Sequence, residues 1–283
     1  MTQCILVGAG PAGLSAALTL AANRVEFLWF GTEPVSAKLA RAERISNYPG
    51  LPGISGADLA DSMLRQERES GLRPEAKIVT GVYDMGEYWG ILADNQVYEA
   101  KSVILATGVA AQRPIPGELE HLGAGVSYCA TCDGALYQGK TIAVICTAPA
   151  LLPEVDFLAS LAAKVYLIAP KLETAPRPNV ERLSGWPLEI AGEGRARSLV
   201  FKDRTLEIDG VFLLKDALPP SALVGGLSLR DGHIDVDRAQ RTNLPGCFAA
   251  GDCTGRPYQL AKAVGEGNVA AHSVLSYLRR TGV

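Results

Sequence analysis

Three stretches of this sequence predict an α/β protein assembled from strand–helix–strand units. QCILVGAGPAGLSAALTLAANRVEFLWFGTE, residues 3–33, sets an apolar strand, a glycine-bearing turn, an Ala/Leu-rich helix and a second strand in succession. TIAVICTAPALLPEVDFLASLAAKVYLIAP, residues 141–170, repeats that succession without the glycines. LPGCFAAGDCTGRPYQLAKAVGEGNVAA, residues 244–271, adds a strand ending in Gly-Asp and a further helix. Strands alternating with helices on this scale read as β-α-β units with parallel pairing, so two Rossmann-like units are expected.

Composition supports a globular chain: 48% of residues are hydrophobic and 20% charged over 283 residues, enough for two ordinary domains. Lys+Arg 27 against Asp+Glu 30 gives a formal charge of −3 with no long basic run, so no nucleic-acid partner is expected. No apolar run approaches the roughly 18 residues of a membrane helix. The first strand begins almost at Met1, leaving no room for a signal peptide, and the expected location is the cytoplasm. In that reducing compartment six cysteines are not a disulfide framework. Cys4, Cys146, Cys247 and Cys253 stand singly in apolar company and read as buried packing.

The first element is a buried strand over residues 3–7, followed by Gly8-Ala9-Gly10-Pro11-Ala12-Gly13 and a helix. Gly8 allows the tight turn, Gly10 lets a pyrophosphate approach the backbone, and Gly13 lets helix and strand pack closely. The helix N-terminus offers amide hydrogens and positive dipole to phosphates. A second strand, residues 25–30, ends near Glu33, which follows Gly8 by 25 residues, near the spacing of roughly 20 at which an acid holds a ribose. By itself this fingerprint does not separate FAD from NAD. VILATGVAAQRPIPG, residues 103–117, is a strand ending in Ala106-Thr107-Gly108, and the strand before the last helix ends in Gly251-Asp252. Together they resemble the paired signatures of FAD-binding pyridine nucleotide-disulfide reductase-like flavoproteins. That resemblance implies that Asp252 binds the ribityl chain or adjoining phosphate, with the following helix pointing its N-terminus at the flavin.

GVSYCATCDGALYQGK, residues 125–140, contains Cys129-Ala130-Thr131-Cys132-Asp133. No second C-x-x-C completes a zinc site, and His121, His233 and His272 lack ligand spacing, so no metal is expected. An isolated C-x-x-C in a reducing compartment reads as a redox dithiol, and a thiolate at a helix start gains from the dipole. Asp133 is placed to shuttle a proton, or to cap the helix.

With C-A-T-C-D following a FAD-type fingerprint, nearly the whole chain resembles the low-molecular-weight thioredoxin reductase family. ISNYPGLPG (45–53), ATG, CATCDG, DGVFLL, GCFAAGDC and the glycine-bearing last helix occur in the expected order. The resemblance implies a FAD-binding domain split between residues 1–112 and 243–283. An inserted domain, residues 113–242, carries the cysteines. It implies a homodimer, with Cys132 facing the flavin, Cys129 attacking the substrate disulfide and Asp133 as acid/base. Asn47 matches a family position near the flavin. Gln259 fits the glutamine of an R-Q-A motif in which Tyr258 replaces the arginine.

The second strand–helix–strand unit departs from the family. There a G-x-G-x-x-A loop and a basic H-R-R-x-x-x-R motif hold NADPH; here the loop reads Cys146-Thr147-Ala148-Pro149-Ala150-Leu151. Side chains replace the glycines, and Pro149 and Pro153 lack amides. Ala169-Pro170-Lys171 stands where the basic triplet belongs, leaving Lys171 and Arg177 with Glu173 between them. The chain therefore resembles the ferredoxin-dependent flavin thioredoxin reductases, which keep FAD and C-A-T-C but lack NADPH motifs. That implies reduced ferredoxin as donor and a thioredoxin as substrate. A basic patch for such an acidic donor is sought among Lys38, Arg41, Arg44, Arg65, Arg68 and Arg73, although a solvated helix face has the same spacing. Rival readings are a dithiol oxidase using oxygen, a flavin-binding redox sensor, and a reductase with an atypical NADPH site or a second flavin as relay.

Overall fold

A computed structural model describes residues 1–31, 37–40, 42–109, 114–169, 177–215 and 219–282. The chain runs β1 (Thr2–Val7), α1 (Pro11–Ala22), β2 (Phe27–Phe30), α2 (Ala37–Ala40), α3 (Gly56–Glu69), β3 (Val79–Asp84), β4 (Trp89–Ala93) and β5 (Gln96–Leu105). It continues with β6 (Val126–Ser127), α4 (Ala130–Asp133), β7 (Thr141–Cys146), α5 (Leu152–Leu161), β8 (Lys164–Ile168) and β9 (Val180–Arg182). Then come β10 (Glu189–Ala191), β11 (Ser198–Val200), β12 (Thr205–Glu207), β13 (Gly210–Leu214), α6 (Pro220–Leu223), β14 (Leu229–Arg230), β15 (His233–Ile234), β16 (Cys247–Ala249) and α7 (Leu260–Thr281). Among the described residues no helix is long and apolar enough to cross a membrane.

Two compact units result, one of Met1–Ala110 with Pro219–Val283 and one of Ala111–Leu218. The α/β architecture agrees with the sequence expectation. Residues 219–242 pack with the first unit. The physical reason is local pairing. Val224 bridges Val82 of β3, and Arg241 bridges Phe248 of β16.

In the first unit the strand order is β2-β1-β5-β4-β3, with β16 also paired to β5. β1, β2, β5 and β16 are mutually parallel, whereas β3 and β4 form an antiparallel arm. Residues Ile5, Leu6, Val103, Ile104 and Leu105 are fully buried, the run expected of parallel strands covered on both faces. Helices α1 and α7 close one core through Leu14, Leu20, Ala270 and Val274. Ser15 Oγ donates to Val264 O at 2.7 Å and Asn268 Nδ2 to Thr19 Oγ1 at 3.0 Å, fixing the register of the two helices.

In the second unit β6-β13-β7-β8-β9 form a parallel sheet, and β10-β11-β12 a small antiparallel one. Ile142, Val144, Ile145, Val165, Leu167, Phe212 and Leu213 make its core. β7 occupies the place that the apolar run predicts, and α5 lies within the LLPEVDFLASLAAK pattern but ends at Leu161, with Lys164 already in β8.

Candidate active site

The nucleotide-type loop of the first unit lies where three parallel strands end side by side. Ala106 N donates to Val7 O at 2.7 Å and Ala250 N to Leu105 O at 2.9 Å, so Gly8, Ala106 and Gly251 emerge together at the carboxyl ends of β1, β5 and β16. That is the position at which open α/β sheets bind ligands. Gly8 has φ +113, and a Cβ there would lie 2.2 Å from Ala106 O; at Gly13 it would lie 2.0 Å from Gly8 O. Both glycines are demanded by close packing. At Gly10, by contrast, a Cβ would meet no protein atom within 4 Å, so the backbone faces open space. Gly10 is the N-cap of α1 and makes no side-chain cap, and Pro11 supplies the first helical position. The end of α1 is therefore open to an anion.

Asn47 Nδ2 donates to Gln259 Oε1 at 2.8 Å, which brings together two expected site residues far apart in the chain. Gly251 has φ +89 and Asp252 opens a 3-10 turn over Asp252–Thr254. The sequence led us to expect a helix directly after Gly-Asp; α7 opens only at Leu260, with Gln259 as its N-cap. Gly255 (φ +115) and Pro257, neither of which favours a continuing helix, hold the segment between them out of helical form. Thr107 and Gly108 follow β5 as expected, while Glu33 lies outside the described residues.

Residues that motif reading passed over hold this loop cluster together. Trp29 Nε1 donates to Gly8 O at 2.9 Å. Gly251 N donates to Glu266 Oε2 at 2.9 Å, and Lys262 Nζ donates to Gly251 O at 2.9 Å, to Thr254 Oγ1 at 2.9 Å and to Glu266 Oε2 at 3.0 Å. The Lys262–Glu266 pair, spaced i, i+4 on α7, thus satisfies both backbone groups of Gly251. Its spacing is legible in the sequence; its target is not.

In the second unit β6 delivers the cysteines. Cys129 is the N-cap of α4, and Cys132 N donates to Cys129 Sγ at 3.2 Å. The two sulfurs form a disulfide with Cα atoms 5.4 Å apart. Because α4 spans four residues, one aimed amide rather than a long helix dipole faces the Cys129 sulfur. Ser127 Oγ donates to Asp133 Oδ2 at 2.6 Å. Cys129 is half-buried and Cys132 exposed. A buried cluster sits beneath this turn: Lys215 Nζ lies 2.8 and 2.9 Å from the two Glu118 oxygens, Tyr128 OH donates to Glu118 Oε1 at 2.6 Å, and Ile115 N donates to Glu118 Oε2 at 2.8 Å. Burial pushes the Tyr128 phenol far up, and the Glu118 carboxylate reinforces the shift.

The remaining cysteines are inert by the same physics. Burial raises the thiols of Cys4 and Cys247 to about 12 and those of Cys146 and Cys253 to about 11. The packing role expected for them holds.

The loop after β7 uses its own polar groups internally. Thr147 N donates to Leu214 O at 3.0 Å, Leu151 N to Ala148 O at 3.0 Å and Cys146 Sγ to Ala148 O at 3.4 Å. Pro149 opens a 3-10 turn, and Ala148 and Leu151 are buried. Arg177 is held by Asp156, with Nη2 to Oδ2 at 2.6 Å, and Arg182 Nη2 donates to Ala169 O at 2.9 Å. Lys171 and Glu173 lie outside the described residues.

The pyridine nucleotide-disulphide oxidoreductase family matches residues 2–169 and 187–267. The chain belongs to this family. Among its relatives is the thioredoxin reductase of Helicobacter pylori strain J99, 34% identical over an alignment that covers 98% of this chain and 99% of that one. Two crystal structures of ferredoxin-flavin thioredoxin reductases from Clostridium acetobutylicum are similar throughout. One has 44% identity and a TM-score of 0.91, the other 38% and 0.84, each covering 99% of this chain and 98% of its own. Family membership makes FAD the cofactor and the protein a flavin-dependent disulfide oxidoreductase. The first unit fits that cofactor: the open backbone at Gly10, the uncapped end of α1 and the adjoining Gly251-Asp252 turn suit a dinucleotide pyrophosphate and its ribityl arm.

Proposed function

We propose that this protein is a ferredoxin-linked thioredoxin reductase that passes electrons through FAD and the Cys129/Cys132 pair to a thioredoxin disulfide. FAD is held by Gly8, Gly10, Pro11, Ala12, Gly13, Glu33, Asn47, Ala106, Thr107, Gly108, Gly251, Asp252 and Gln259. Bound FAD supplies a two-electron store that can be filled one electron at a time, which suits an iron–sulfur donor.

The Cys132 amide faces Cys129 Sγ in the disulfide, a position that favours Cys129 as the thiolate once the pair is reduced, and that thiolate attacks one sulfur of the substrate disulfide. The other substrate sulfur leaves as a thiolate and takes a proton from Asp133. Asp133, now a carboxylate, takes the proton of the Cys132 thiol; the Cys132 thiolate attacks Cys129 Sγ, breaks the mixed disulfide and releases the second substrate thiolate, which receives that proton from Asp133. Two electrons have moved from the protein dithiol to the substrate, and the Cys129–Cys132 disulfide is restored for the next reduction.

The observation that carries the choice of donor is the glycine-free loop at 146–151. Its Thr147 and Leu151 amides bond backbone carbonyls, and Arg177 is paired with Asp156. Loss of one charge-assisted phosphate contact costs about 1.5–3 kcal/mol. Two such losses take a micromolar nucleotide site to roughly millimolar or weaker, at about 1.4 kcal/mol per tenfold. The similarity to ferredoxin-flavin thioredoxin reductases supports the same reading. On the candidate patch for an acidic donor, Glu67 stands beside Arg68 and Arg73, whose charges partly offset the upward push of burial on its carboxyl. Arg44 and Arg65 are the other candidates, while Arg41 and the side chain of Lys38 lie outside the described residues. The protein is further proposed to act in the cytoplasm as a homodimer.

Anaerobic stopped-flow bleaching of the flavin band tests the proposal. Reduced ferredoxin is expected to bleach it rapidly, and NADPH or NADH at sub-millimolar concentration to leave it oxidised. Rapid bleaching by NADPH would overturn the reading. Failure of all three donors, with peroxide formed from oxygen on adding a dithiol, would point to an oxidase instead.

A further inference from the structure

We infer that Ser127 is a positioning residue for the disulfide reaction: its hydroxyl holds Asp133 by one carboxylate oxygen and ties it to the backbone of Cys129. The inference rests on the proposed acid/base role of Asp133 and deepens it.

Ser127 is buried at the end of β6, where Phe212 of β13 is its strand partner. Its Oγ lies 2.6 Å from Asp133 Oδ2, 3.1 Å from Cys129 N and 3.2 Å from Cys129 O. A hydroxyl has one proton and two lone pairs. The nearer carboxylate oxygen takes the proton, and a lone pair accepts the Cys129 N–H. Cys129 Sγ in turn accepts the amide of Cys132, so one hydrogen-bonded chain joins Asp133, Ser127, Cys129 and Cys132. The backbone on either side of the hydroxyl is restrained, because the intervening Tyr128 is fastened to buried Glu118.

This arrangement occupies Oδ2 and directs proton exchange with the substrate sulfur to Oδ1. The Ser127 proton itself is not transferred. Without the hydroxyl, Asp133 loses its tether and the Cys129 amide loses its acceptor, while the strand pairing of β6 stays intact.

The test measures single-turnover reduction of thioredoxin disulfide by holoenzyme whose flavin has been reduced photochemically, so that no protein donor enters. Ser127→Ala is expected to slow the step roughly tenfold or more, the loss of a charge-assisted bond. The thioredoxin concentration at half-saturation and the flavin spectrum are expected to stay unchanged. Ser127→Thr, which keeps the hydroxyl, is expected to recover the rate. In an Asp133→Asn background, Ser127→Ala is expected to cost nothing further, since both changes remove one interaction. Ser127→Gly serves in its place should the alanine variant not fold. A normal rate for Ser127→Ala, or a loss that multiplies with that of Asp133→Asn, would overturn the inference. A normal rate for Asp133→Asn alone would instead sink the acid/base reading.

Discussion

Replacing Lys215 by methionine isolates the worth of the buried cluster beneath the dithiol. The Lys215 ammonium sits 2.8 and 2.9 Å from both oxygens of Glu118, and their side chains are 6% and 0% exposed. Methionine keeps most of the stem volume, so little cavity forms. What remains is a carboxylate deep in the second unit with its cation gone. Breaking a buried pair from one side costs about 3–5 kcal/mol. At about 2–4 °C per kcal/mol for a chain near this size, the melting temperature should fall on the order of 10 °C. Adding Glu118→Gln to the same variant removes the stranded charge. The amide oxygen, in the place of Oε2, accepts from Ile115 N, and the amide nitrogen, in the place of Oε1, donates to Tyr128 OH, partners that now sit 2.8 and 2.6 Å from the carboxylate. About half the loss should therefore return. Urea unfolding of the holoprotein, followed by near-ultraviolet circular dichroism, measures both variants. A loss below about 1 kcal/mol for Lys215→Met, or a double variant no more stable than the single one, would refute the assignment of that energy to the buried pair.

Gly10→Val should fold normally yet retain FAD at least tenfold more weakly, because its side chain enters space that no protein atom fills; equilibrium dialysis reads the difference. Gly13→Ala should fail differently, with little folded protein recovered, since its Cβ would strike Gly8 O. Cys132→Ser should leave Cys129 able to trap thioredoxin as a mixed disulfide visible on non-reducing gels, and Cys129→Ser should not. Folding stability should decline above pH 9. The buried thiols hold their protons in the native state up to about 11 for Cys146 and Cys253 and about 12 for Cys4 and Cys247, whereas the unfolded chain releases them near the ordinary thiol value of 9.0. The native state then binds more protons, so each thiol contributes a slope of about −1.4 kcal/mol per pH unit across that window, and replacing all four with alanine should flatten the alkaline limb.

The sequence by itself determined the features that are local in the chain. The turn from Gly8 to Gly13 needs specific residue types at short spacing, because a tight bend, an open helix end and close packing are each decided within a few residues. The same holds for the C-x-x-C pair, where three positions of separation place one cysteine at a helix start and the other one turn on. The missing glycines at 146–151 were equally legible, since an absent residue type at a known turn position is read directly. Only the tertiary structure decided the long-range pairs: Asn47 with Gln259, Glu118 with Lys215, and Trp29 with the carbonyl of Gly8. It also packed residues 219–242 with the first unit and delayed α7 to Leu260, where strand bridges and turn residues outweighed motif spacing. Ser127 belongs to both classes. Its place two residues before Cys129 is written in the sequence, but a serine there could face either side of a strand. Pairing of β6 with β13 turns its hydroxyl toward Asp133, and that choice is made by the sheet.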